Sequence, residues 1–216
     1  MKGLLKNNFY AVRSSAAIFS MFMLIAGTIV TVIDRQQFLL MYLLLGMIGF
    51  SMSAIAGIGR DDTSKWAKYK LTTPVKRGTI VKSYYIHLLI WLFVGMIFAG
   101  LVMGLTWLLH GCPFDRNLDA VLIFAVGMSI SLLAGAIFFP LFYFGGAERS
   151  GVFLVVSLLC AVGIVMGITA IINTAFGPNM SSVQILLWTV IMLVGSVVVL
   201  AASYPVTTMI FKRKEY

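Results

Sequence analysis

Read for apolar and polar positions, the chain is a series of long hydrocarbon runs interrupted once by a long polar stretch. The runs cover residues 14–33, 38–59, 83–109, 120–144, 151–172 and 183–209. Each reaches the roughly 20 residues that a helix needs to cross a bilayer core. The third, fourth and sixth exceed that length and are expected to tilt or to project past the headgroups. Ser and Thr inside the runs can bond back to their own helix, so they do not argue against spanning. The interruption is Arg60 to Lys82, RDDTSKWAKYKLTTPVKRGTIVK, where two acids, a Trp, a Tyr and a Thr-Thr-Pro break sit among seven basic residues.

Composition agrees with this pattern. Of 216 residues, 61% are hydrophobic and 11% charged, with a mean hydropathy of +1.02. A soluble domain carries about 25% charged residues, so the expected class is all-α: a polytopic membrane protein of six transmembrane helices. The net charge of +9 is first a topology signal. Nucleic acid is not an expected partner, because no soluble basic face is available to bind it.

Ahead of the first run, residues 1–13 read as an amphipathic helix on the membrane surface, with Met1, Leu4, Leu5, Phe9 and Val12 on one arc and Lys2, Lys6 and Arg13 on the next. A plain extension of the first span is the competing reading. The segment is too polar for a signal h-region, so the first run is expected to remain as an anchor. Placing the N-terminus in the cytoplasm puts fourteen basic residues inside and leaves Arg35 and Arg116 outside. That asymmetry over short loops predicts cytoplasmic termini, a cytoplasmic 60–82 loop and a basic cytoplasmic tail over 210–216.

Within the runs, Pro140 is expected to kink the fourth span. Small residues recur at helical spacing at Gly100 and Gly104, at Gly127, Ser131 and Gly135, and at Gly163 and Gly167, where backbones can approach closely. The GGAERS turn at 145–150 opens on the glycine expected after a helix C-terminus. Cys112 falls in an outside loop and Cys160 near mid-span, so two free thiols are expected.

Several chemistries are missing from the sequence. No Asp, Glu, Lys or Arg falls inside the six runs, whereas ion-coupled carriers place such groups at mid-membrane. His87 and His110 stand about 35 Å apart on one helix and cannot share a metal. The zincin, nucleophile-elbow and phosphate-loop motifs do not occur. No catalytic, cofactor-binding or metal-binding residue is therefore expected, and active transport would draw its energy from another subunit.

The 60–82 loop divides by elementary rules. Asp61 and Asp62 suit an N-cap, Thr63 to Thr72 contains no helix breaker, and Thr73-Pro74 stops the rod. Val75, Lys76, Arg77 and Gly78 turn the chain, and residues 79–82 open the third span. Trp66 with Tyr69, and Ala67 with Leu71, give the rod an aromatic and apolar side. It can sit in the headgroup belt, serve as a solvated connector, or plug into a soluble partner.

Asp61-Asp62, K-W-x-x-Y, L-T-T-P-V-K-R and I-V-K-S-x-Y-I at 80–86, with F-P-L-F-Y-F-G-G-A-E-R at 139–149, resemble the bacterial ABC-2-type permeases. The closer resemblance is to the small six-span permeases related to phenol-soluble-modulin and bacteriocin exporters. Thr72-Thr73 departs from the more apolar or Ser-containing stretch common there and blurs the rod's end. The resemblance covers the whole length, though no invariant catalytic signature anchors it. It implies a permease in the bacterial cytoplasmic membrane that pairs with an identical or different second permease subunit. A separate ABC ATP-binding subunit would hold ATP and Mg and dock on a coupling helix in the 60–82 loop. Carried over, the docking residues are Asp61, Asp62, Trp66, Tyr69, Leu71, Pro74, Lys76 and Arg77, with Glu148 from the second inner loop. The implied cargo is an amphipathic peptide or related hydrophobic compound. An ATP-independent immunity or interaction protein, and a secondary carrier, are the alternatives.

Overall fold

Backbone N–H and C=O groups in hydrocarbon must find partners within their own segment, which makes helices the available solution for apolar runs of this length. A computed structural model describes residues 2–33, 35–63, 77–111, 113–114, 117–176 and 181–213. These form six α-helices: α1 (Lys2–Ile33), α2 (Gln36–Thr63), α3 (Arg77–His110), α4 (Asn117–Gly145), α5 (Ser150–Phe176) and α6 (Ser182–Arg213). A 3-10 turn, Ala147–Arg149, joins α4 to α5. The described residues contain no strand. All six helices are long and apolar enough to cross a membrane.

The helices fill the six runs and extend beyond them. Residues 2–13 are not a separate element: α1 runs unbroken through Arg13 and on to Ile33. Nothing between Arg13 and Ala16 can stop it, since no Pro or Gly intervenes. A single buried stripe, Asn8, Val12 and Ala16, crosses the expected boundary at four-residue spacing. Thirty-two residues make a rod of about 48 Å, longer than a bilayer core of roughly 30 Å. Extension of the first span is thus the reading that matches.

Two helices form the centre of the bundle. The spanning window of α4 is 61% buried and that of α2 50%, against 17% for α5 and for α6. α4 packs most extensively on α6, and α2 on α3, while α1 lies against α2 and α3. The core residues include Met23, Leu43, Met47, Phe50, Phe138 and Phe139. Val32, Leu108 and Phe144 are exposed apolar side chains on the outer faces.

Glycine permits a close backbone approach between α2 and α3. At Gly95 of α3 a Cβ would stand 2.7 Å from the Gly46 carbonyl oxygen and 3.0 Å from Met47 Cα of α2. Along α4, the predicted stripe is filled from within the chain. Met47 occupies the space beside Gly127, Leu88 that beside Gly135, and Ser131 Oγ reaches the Met47 carbonyl at 3.3 Å. Gly100, Gly104, Gly163 and Gly167 instead face open space. Two helix ends close in the left-handed conformation. Gly111 (φ 87°) donates to the Trp107 carbonyl and Gly146 (φ 85°) to that of Phe142, each at 3.0 Å. The second is the Gly-led turn expected at 145–150. α6 opens on a reciprocal cap between Ser181 and Gln184.

Candidate functional site

The ends of α2, α4 and α6 and the beginnings of α1, α3 and α5 share one end of the bundle. The connection 64–76 leaves α2 and returns into α3 there. The predicted docking residues divide across it. Trp66, Tyr69, Leu71, Pro74 and Lys76 lie outside the described residues, as does most of the expected rod. Asp61 and Asp62 have helical backbone in the last turn of α2. Arg77 and Gly78, expected in a turn, are the first residues of α3. Glu148 is exposed on the 3-10 turn, which packs against α2. There a Cβ on Gly59 would approach Ser150 Oγ to 2.7 Å.

The base of α3 issues directly from this connection and is tied to three other helices. Asn8 Nδ2 of α1 donates to Ser83 Oγ at 3.2 Å. Tyr204 Oη of α6 donates to the Gly78 carbonyl, in the first turn of α3, at 3.3 Å. Tyr85 Oη lies 2.8 Å from Ser203 Oγ and 2.9 Å from Thr207 Oγ1, both on α6. Tyr85 also packs on Phe139 of α4, ring centres 4.3 Å apart.

Proline chemistry explains one of these ties. Pro140 has no N–H, so the Ala136 carbonyl, four residues earlier, lacks its usual helical partner. Ser203 Oγ donates to that carbonyl at 2.7 Å. Thr207 donates to the Ser203 carbonyl at 2.8 Å. With those two protons assigned, the phenol proton of Tyr85 serves either hydroxyl oxygen and joins α3 to the same junction. Pro140, inside the continuous α4, thus comes with a fastening that links α3, α4 and α6 at one point.

The arrangement can transmit displacement. A push on the beginning of α3 reaches α1 through Ser83, α6 through Gly78 and α4 through Tyr85. Among the described residues no cluster of three His, Cys, Asp or Glu side chains is placed to hold a metal. Cys160 is an exposed free thiol on α5, and Cys112 lies outside the described residues. Cavities of about 210 Å³, beside Arg35 and His110, and about 100 Å³, beside Trp188 and Thr189, lie at the opposite end of the bundle.

Sequence reasoning gave no role to Asn8, Ser203, Tyr204 or Thr207, and it met Ser83 and Tyr85 only as letters of the I-V-K-S-x-Y-I match. Pro140 was itself a usable signal, because it leaves an orphan carbonyl that a hydroxyl elsewhere in the bundle can meet. Which hydroxyl meets it depends on how two helices 67 residues apart in sequence pack together.

The family model described as ABC-2 family transporter protein matches residues 3–212. No curated protein and no solved structure matches the chain.

Proposed function

Because this chain belongs to the ABC-2 transporter family, a family of membrane transport components, we propose that it is the permease subunit of an exporter in the bacterial cytoplasmic membrane. A separate ABC ATP-binding subunit drives it through the 60–82 loop, and ATP and Mg reside in that subunit. The cargo is an amphipathic peptide or related hydrophobic compound. A second permease, identical or different, completes the translocating unit. Both termini and the 60–82 loop lie in the cytoplasm.

The observation that carries this reading is the fastening of the α3 base. Force applied to a polar connection at one end of an apolar bundle acts on whatever that connection enters, and here it enters a helix bonded to α1 and α6 and packed on α4. Displacement of α3 would therefore move the bundle rather than a loose strand of chain. The Glu148 turn beside α2 gives the partner a second foothold on the same end. The six runs carry no Asp, Glu, Lys or Arg through which an ion gradient could act.

The experiment is affinity purification of the full chain from native membranes, then reconstitution of the recovered complex in vesicles. An ABC ATP-binding subunit is expected to co-purify, and an amphipathic peptide is expected to accumulate only with ATP. Peptide accumulation driven by an ion gradient without nucleotide would favour the carrier. Toxin protection without ATPase recovery would favour the immunity protein.

A further inference from the structure

Among the described residues, three buried side-chain polar atoms lack a hydrogen-bond partner: Asn8 Oδ1, His87 Nε2 and Trp91 Nε1. Asn8 is 3%, His87 2% and Trp91 6% exposed, and all three lie where α1 meets α3. An orphaned buried polar atom calls for a bound water or ion, a chemical role, or a strained arrangement with an alternative. The gap lined by Asn8 and His87 has no room for a water-sized sphere. No reacting group stands beside them. For Asn8 Oδ1 and His87 Nε2, movement of the helices is what remains to satisfy them.

The spacing of the orphans says which movement. Ser83, His87 and Trp91 follow at four-residue intervals, so they climb one face of α3 in steps of about 6 Å. Asn8 holds the lowest step, through its bond to Ser83. We infer that α1 and α3 form a two-position ratchet in which Asn8 passes from Ser83 to His87 as α1 slides about one turn along α3.

The slide breaks the single bond from Asn8 Nδ2. In exchange, the two lone pairs of Asn8 Oδ1 can accept from His87 Nε2–H and Trp91 Nε1–H. Ser83 keeps its own bond to the Ile80 carbonyl at 2.7 Å. The resting position is held by shape. Val12, one turn beyond Asn8, places its Cγ2 methyl in the notch left by Gly57 of α2, where any Cβ would collide with it. Phe9, stacked on Trp91 at 5.6 Å, keeps the same register. A steric detent on one side and unmet hydrogen bonds on the other make a bistable contact of the kind that moves by whole turns. Asn8 and His87 are positioning residues here and need not touch cargo.

This inference deepens the proposed function, since the α3 base is what a partner pressing on the 60–82 loop would displace. The slide itself is measured on the permease alone. Spin labels at Tyr10→Cys and Leu105→Cys, both exposed positions, in a Cys112→Ser, Cys160→Ser background report the axial offset of the helices by double electron–electron resonance in nanodiscs. The expected result is a major distance and a minor one shorter by about 5 Å, one helical turn. Gly57→Ala fills the notch and should raise the shorter population several-fold, while His87→Phe should abolish it. If Gly57→Ala does not fold, Ser83→Ala, which frees Asn8 without adding volume, decides in its place. One distance unmoved by Gly57→Ala and Ser83→Ala overturns the ratchet. So does a shorter population that survives in His87→Phe. Two populations that ignore an added ATP-binding subunit and nucleotide would sink the partner reading and leave the ratchet standing.

Discussion

Replacing Ser203 by Ala should cost more than its one missing oxygen suggests, because the Ala136 carbonyl has no other local partner. Pro140 removes the helical donor to that carbonyl, and Ser203 Oγ supplies the substitute at 2.7 Å. Ala136 is 4% exposed, so without Ser203 the carbonyl is left buried and orphaned, a loss of about 1–3 kcal/mol. Interhelical hydrogen bonds in membranes average only about 0.6 kcal/mol, because the unfolded chain in the membrane also finds partners. Tyr85→Phe should fall near that lower figure. It removes only the hydroxyl and leaves Ser203 bonded to Ala136 and Thr207 bonded to the Ser203 carbonyl. The assay is reversible unfolding in mixed micelles of wild type, Ser203→Ala, Tyr85→Phe, Pro140→Ala and Pro140→Ala/Ser203→Ala. Pro140→Ala restores the N–H that Ala136 lacks, so the double variant should recover at least about 1 kcal/mol of the serine's cost. A Ser203→Ala cost equal to that of Tyr85→Phe, with no relief from Pro140→Ala, would refute the reasoning.

The crossing of α2 and α3 gives a second test. Gly95→Ala drives a Cβ to 2.7 Å from the Gly46 carbonyl and 3.0 Å from Met47 Cα. Backbone atoms yield little, so a loss of about 1–3 kcal/mol is expected in the same unfolding assay. Gly100→Ala on the same helix meets nothing within 4 Å and should be neutral, or stabilising by up to about 1 kcal/mol through helix propensity. Orientation is tested by single cysteines in a Cys112→Ser, Cys160→Ser background, probed in right-side-out vesicles with an impermeant maleimide. Gln37→Cys should label at once and Leu71→Cys only after permeabilisation, and the reverse order would invert the topology.

Six apolar runs were legible because bilayer thickness and backbone hydrogen bonding leave little else for them to be. Which of them form the centre was not. The windows of α4 and α6 have mean hydropathies of 2.4 and 2.7, yet one is 61% and the other 17% buried. In a membrane both the core and the lipid-facing surface are apolar, so hydropathy no longer separates inside from outside. The N-terminal segment misleads for a related reason. Its basic residues suggest a surface helix, while the Asn8, Val12 and Ala16 stripe that carries α1 straight through pairs a polar residue with two apolar ones. Asp61 and Asp62 look like caps in isolation, but the helical backbone of α2 passes through them. The α4 glycines were readable as a site of close approach, whereas the similar pair in α5 faces open space. Small-residue spacing marks where a close contact is possible, and a large neighbour decides whether it is made.

The claim that this permease is worked through its 60–82 loop is tested most directly by the affinity of its ATP-binding subunit for wild type and for a Trp66→Ala/Tyr69→Ala variant, both in nanodiscs. Buried aromatic anchors contribute about 2 kcal/mol or more each at protein interfaces, so the double variant should bind at least tenfold more weakly. Its gel-filtration profile and unfolding midpoint should stay unchanged. An unaltered affinity, or an ATP-binding subunit that binds neither form, would contradict the account.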